Sequence, residues 1–90
     1  MAIVRFTLPF SRIAGATQVK IEAATVGELC QRLIERYGPE MTVLLDDNGE
    51  VSRHVVFMVN RRNIHTLHYQ GELLLDDNTE VLIMPHIIGG

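Results

Sequence analysis

The sequence predicts an α+β domain of two layers, a mixed sheet with one main helix packed on one face. Two observations on the chain carry this: runs with the period of a strand stand towards both ends, and a single strongly amphipathic helical segment lies between them. A third is length, since 90 residues give room for one core and not two, so a single domain over residues 1–90 is expected, ending in a flexible tail, 86–90.

In chain order, Val4, Phe6 and Leu8 alternate with Arg5 and Thr7 between Ile3 and Phe10, the period of two that a half-buried strand requires. Pro9 is expected to end its pairing. A turn region from Ser11 to Ala16 holds Gly15, and then Thr17, Val19, Ile21 and Ala23 alternate with Gln18, Lys20 and Glu22. The two runs read as an antiparallel hairpin. Thr25-Val26-Gly27-Glu28 forms a capping box, in which Thr25 accepts the Glu28 N–H while the Glu28 carboxylate reaches back to the Thr25 N–H. The helix that follows sets Leu29, Cys30, Leu33, Ile34 and Tyr37 on one face and Glu28, Gln31, Arg32, Glu35 and Arg36 on the other, and Gly38-Pro39 stops it.

Val55 to Val59 is a continuous apolar, β-branched run that predicts a central strand covered on both sides, with a turn at Asn60. Leu73 to Leu75 reads as a short edge segment. Asp76-Asp77-Asn78-Thr79 is a turn, because Asn tolerates left-handed backbone and Asp side chains cap turns, and Glu80 to Met84 is the last strand, closed by Pro85. A last strand beside the first is a parallel pair, for which the helix supplies the crossover.

Composition removes several classes of function. Apolar residues are 47% and charged residues 21% of the chain, an ordinary globular balance. The formal charge is −3 and the basic residues are scattered apart from Arg61-Arg62, so no basic stripe is available for nucleic acid. The single cysteine, Cys30, excludes an internal disulfide and any cysteine-built zinc or iron–sulfur site within one chain, which fits a reducing, cytoplasmic setting. No apolar run approaches the roughly 20 residues that span a bilayer, and the N-terminal residues lack the order of a signal peptide, so no membrane partner is expected.

The feature that carries chemistry is the end of the chain. Gly89-Gly90 follows a strand and a proline, so the pair is expected to project from the rim as a tail without side chains. Lacking Cβ atoms, such a tail suits a narrow catalytic channel. What it delivers is its terminal carboxylate, a poor acyl donor until a partner enzyme makes it a better leaving group, most plausibly as an acyl-adenylate from ATP; sulfide displacing AMP would leave a thiocarboxylate.

Four pieces resemble a known family: the opening strand Val4-Arg5-Phe6, the helix start Thr25-Val26-Gly27-Glu28-Leu29, Val59-Asn60 closing the central strand, and Leu75 through Gly90, with its acidic turn, last strand, proline and diglycine. The family is that of the ubiquitin-like sulfur carriers, which include the small subunit of molybdopterin synthase and the thiazole-synthesis carrier. The resemblance implies a β-grasp fold and a protein cosubstrate rather than an enzyme. Its partners would be an adenylating enzyme of the ubiquitin-activating type, a sulfurtransferase, and a synthase subunit that accepts the sulfur. No cofactor is bound, ATP being used by the activating enzyme. Two departures leave the subfamily open: Asn78-Thr79 stands where the family has Gly-Asp, and His86 where a second proline is common.

The candidate site is therefore Gly90 as the group activated and Gly89 for tail flexibility, with Phe57, Val59, Ile83, Pro85, His86, Ile87 and Ile88 as partner-binding residues. The apolar residues on both faces of Val55–Val59 and Val81–Met84 exceed what one helix covers, so part of that surface is either a docking site or covered by the segments Met41–Leu45 and Ile64–Leu75. His65-x-x-His68, with His54 or His86, could ligate a metal, but solvated loop histidines are the favoured reading and no metal is assigned. Cys30 reads as a small buried hydrophobe, and Asp46-Asp47, Asp76-Asp77 and Arg61-Arg62 as turn and surface chemistry. Conjugation to a target lysine through Gly90, or a plain protein-binding module, are the alternatives to sulfur carriage.

Overall fold

The computed structural model describes residues 1–66 and 70–86. Its elements are β1 (Ala2–Phe6), α1 (Phe10–Ala14), β2 (Gln18–Ile21), α2 (Val26–Tyr37), β3 (Val55–Val59), β4 (Arg62–Asn63) and β5 (Glu80–Pro85), with short 3-10 turns at Pro39–Leu44, Ile64–Thr66 and Gln70–Glu72. The five strands form one sheet in the order β2-β1-β5-β3-β4. β1 and β2 are the expected antiparallel hairpin, and β5 lies parallel to β1, as the two-layer reading requires. β5 and β3 are antiparallel, with Phe57 opposite Ile83 and Met58 opposite Leu82. This is the β-grasp arrangement of a mixed sheet wrapped on one helix.

The N-terminal signal of α2 is a side-chain cap: the Glu28 N–H donates to Thr25 Oγ1 at 3.1 Å. The reciprocal bond differs from the expected box, because Glu28 Oε2 accepts from the Ala24 N–H at 3.4 Å. At the other end Gly38, at φ 89°, takes a backbone conformation costly for any residue with a Cβ. Gly27 has a different reason for being glycine. A Cβ there would stand 2.9 Å from the Gly71 carbonyl oxygen, so the first turn of α2 can lie against residues 70–72 only if this position is bare.

α2 buries Val26, Leu29, Cys30 and Leu33 against Val4, Phe6, Phe57, Val59, Val81 and Ile83 of the sheet. Met41, Leu44 and Ile64 join the same cluster, so the segments around them close the inner layer instead of covering the outer face. At about 25 cal/mol per Å² of apolar surface removed from water, a residue such as Phe57 contributes roughly 1.5–3 kcal/mol. Among the described residues no helix is long and apolar enough to cross a membrane.

Several expectations are corrected. β1 stops at Phe6, Leu8 is 61% exposed, and the chain turns so that Phe10, at the start of α1, enters the core in its place. Among the described residues β3 is covered on one face only: Val55, Phe57 and Val59 are buried while Val56 and Met58 are half-buried on the other side. Leu73–Leu75 is the short paired segment expected, but it pairs outside the five-stranded sheet, in an antiparallel bridge of Leu74 with Thr25 at the entry to α2: the Val26 N–H donates to the Leu73 carbonyl and the Leu75 N–H to the Ala24 carbonyl, and Leu74 is left 77% exposed. The acidic turn forms without left-handed backbone at Asn78; Asp76 Oδ1 accepts from the Asn78 N–H and from the buried Thr79 hydroxyl. Among the described residues the non-glycine ones with left-handed backbone are Asn60 and Arg61, at φ 49° and 70°, in the two-residue turn between β3 and β4. For a residue with a Cβ that conformation costs on the order of 1–2 kcal/mol.

Candidate functional site: the outer sheet face and the end of β5

β5 sits between β1 and β3, and its C-terminal end is where the sheet hands the chain over to residues 87–90. Pro85 belongs to this strand. The Thr7 N–H donates to the Ile83 carbonyl on the β1 side, and the His86 N–H to the His54 carbonyl on the β3 side. Backbone groups alternate between neighbours, so the nitrogen of Pro85 points to the β1 side, beyond the end of β1, where no ladder bond is lost. The strand thus runs one rung past its proline, and His86 at its end is exposed.

The register decides which side chains border that end. Phe57, Val59 and Ile83, expected as partner-binding residues, are buried at 0%, 6% and 0% exposure on the α2 side and are core. The residues of opposite parity, Val56 and Met58 on β3 and Leu82 and Met84 on β5, form the outward strip, half-buried by one another and uncovered among the described residues. Pro85 and His86 are accessible. Gly89 and Gly90, with Ile87 and Ile88, lie outside the described residues.

A shallow groove of about 330 Å³ runs along this strip, floored by Met58, Leu82 and Met84 and flanked by Arg5, Glu80 and Arg61. Arg5 Nη2 lies 3.6 Å from Glu80 Oε1, and both side chains are about half exposed, so the pair adds at most ~1 kcal/mol and mainly cancels charge.

Other titratable groups lie away from it. Burial pushes the Cys30 thiol up to about 12, partly offset by a backbone hydrogen bond, so it stays a protonated, inert filler of the core at neutral pH. Asp77, fully exposed, is held below its ordinary value by a hydrogen bond from the N-terminal ammonium and by that group's charge. His65 is not the solvated loop histidine expected: it is half-buried and its Nε2 lies 2.7 Å from the Val55 carbonyl, which fixes the proton on Nε2. His68 lies outside the described residues, and among the described ones no group of three metal-ligating side chains converges.

The sequence and the fold both have known counterparts. The model of the ThiS family matches residues 4–90. The chain belongs to the ThiS family. An Archaeoglobus fulgidus protein named as a sulfur carrier is 30% identical over 88 residues, spanning 97% of this chain and 98% of its own. In fold, the crystal structure of CysO from Mycobacterium tuberculosis superposes with a TM-score of 0.84 at 20% identity, covering 97% of this chain and all of that one. The CysO of Amycolatopsis orientalis, seen in a complex of BexX and CysO, gives 0.83 at 20% identity with both chains fully covered. As a ThiS-family protein the chain is ubiquitin-like, and its match takes in the last strand, Pro85 and the diglycine end.

Proposed function

We propose that this chain carries sulfur as a thiocarboxylate on Gly90 and donates it in the synthesis of a cofactor or metabolite, in the cytoplasm. The observation that carries the reading is the ThiS-family match running through residue 90, joined to near full-length similarity to a protein named as a sulfur carrier. The fold supports it by placing β5, the strand that leads to the diglycine, in the middle of the sheet with an accessible end.

The chemistry balances in two steps. A Gly90 carboxylate oxygen attacks the α-phosphorus of ATP held by an adenylating partner of the ubiquitin-activating type, and pyrophosphate leaves. Sulfide, supplied as such or released from a sulfurtransferase persulfide by a thiol that is oxidised to a disulfide, then attacks the acyl carbon; the bond to AMP breaks and a thiocarboxylate remains. On a sulfur-accepting synthase the thiocarboxylate sulfur bonds to the acceptor, and water cleaves the resulting thioester, which leaves the sulfur on the acceptor and restores the carboxylate. In this reading the partners provide the acid, base and nucleotide for these steps, and the chain acts as a cosubstrate whose surface and terminus are read by others. Conjugation to a lysine begins with the same adenylate and differs in its second nucleophile.

Extension tests the reading. Adding one alanine after Gly90 moves the reacting carboxylate and should abolish ATP–pyrophosphate exchange by the cognate adenylating enzyme while leaving the melting temperature unchanged. Undiminished exchange by the extended chain would refute it.

A further inference from the structure

The turn joining β3 to β4 holds a residue that the fold does not ask for. Asn60 and Arg61 both have positive φ, the requirement of a two-residue turn whose second position glycine fills without steric cost. Asn60 does the anchoring: its N–H donates to the Glu80 carbonyl at 2.8 Å and its Oδ1 accepts from the Glu80 N–H at 2.9 Å. The Arg61 guanidinium has no ion-pair or hydrogen-bond partner among the described residues. A costly side chain at a position that needs none points to use elsewhere.

Its location says where. Arg61 flanks the outer groove above an apolar floor of Met58, Leu82 and Met84. The other two charges there, Arg5 and Glu80, lie 3.6 Å apart and offset each other, so Arg61 is the uncompensated charge of the groove. The chain as a whole carries −3 and would repel an acidic surface; a lone cation at this rim orients one.

We propose that Arg61 is a specificity-determining contact of this carrier. It receives a carboxylate from an acidic segment of the adenylating partner, whose adjoining apolar side chain occupies the groove over Met58, Leu82 and Met84. The inference rests on the carrier reading above, and the test separates the two.

The probe is the ubiquitin-activating-type adenylating enzyme encoded in the same genome, assayed by ATP–pyrophosphate exchange at several salt concentrations. Arg61→Gly removes the backbone cost, so its melting temperature should rise by roughly 4 °C. Its KM as substrate should nevertheless rise about tenfold with kcat unchanged, and the salt dependence of KM seen with the wild-type chain should flatten. Arg61→Lys, which restores the charge, should bring KM back to within about threefold of wild type. An Arg61→Gly chain with wild-type KM overturns this inference and leaves the carrier reading standing, as does a rise in KM that lysine does not reverse. Absence of exchange with the wild-type chain overturns both.

Discussion

The two faces of the sheet are built from the same kinds of residue and behave differently. On the inner face Phe57 and Ile83 pair across β3 and β5 and are sealed by α2; one residue along, Met58 and Leu82 pair in the same way and stay half-exposed. Both pairs are apolar, so hydrophobicity alone does not tell core from contact surface. What separates them is parity: in a pleated strand a shift of one residue moves the side chain through the sheet, and among the described residues only one side has a helix. The inner set supplies stability, and the outer set, together with the rim charges, is the surface proposed for a partner.

The comparison is broken most severely from the inside. Phe57→Ala should cost about 3–5 kcal/mol in urea or thermal unfolding, because the site is fully enclosed and cannot collapse onto the void. A loss under about 1 kcal/mol would place Phe57 on the surface and reverse the assignment of the faces. Leu82→Thr sharpens the other side. It puts a β-branched residue, well suited to a strand, in place of leucine and should change stability by less than about 1 kcal/mol, yet weaken recognition by the activating enzyme by about tenfold, or ~1.4 kcal/mol. Equal stability losses for the two variants would mean that the outer strip is also core.

Much of this was legible in the sequence. The period-two run around Val4 and Phe6, the Thr25 cap, the Gly38 stop and the parallel closing strand lie in local patterns that fold as written. The resemblance drawn from Thr25–Leu29 and Leu75–Gly90 led to the same family as the match over residues 4–90. What could not be read was which parity of two doubly apolar strands would face the helix. Val55–Val59 has no polar residue to mark an outside; the markers that do exist are Glu80, which shares the parity of Leu82 and Met84 on β5, and Arg5 on β1, and they identify Val56 and Met58 only once the register is known. For that reason Phe57, Val59 and Ile83 were expected at the surface, where Val56, Met58, Leu82 and Met84 stand. The turn expected at Asn60 is where the sequence places it, and only its left-handed backbone went unread, because Asn60-Arg61 lacks the glycine that usually announces it. The strand ending at Phe6 was hidden by Leu8, which prolongs the alternation without reaching the core.

The central claim, that the reacting group is the Gly90 carboxyl, is open to one direct measurement. The intact chain is incubated with ATP, sulfide and its adenylating enzyme, and its mass is recorded before and after. The expected result is a gain equal to the replacement of one oxygen by one sulfur, confined to the C-terminal peptide and absent without ATP. An unchanged mass while the enzyme activates another carrier, or a stable adduct of protein size in place of the sulfur, would contradict it.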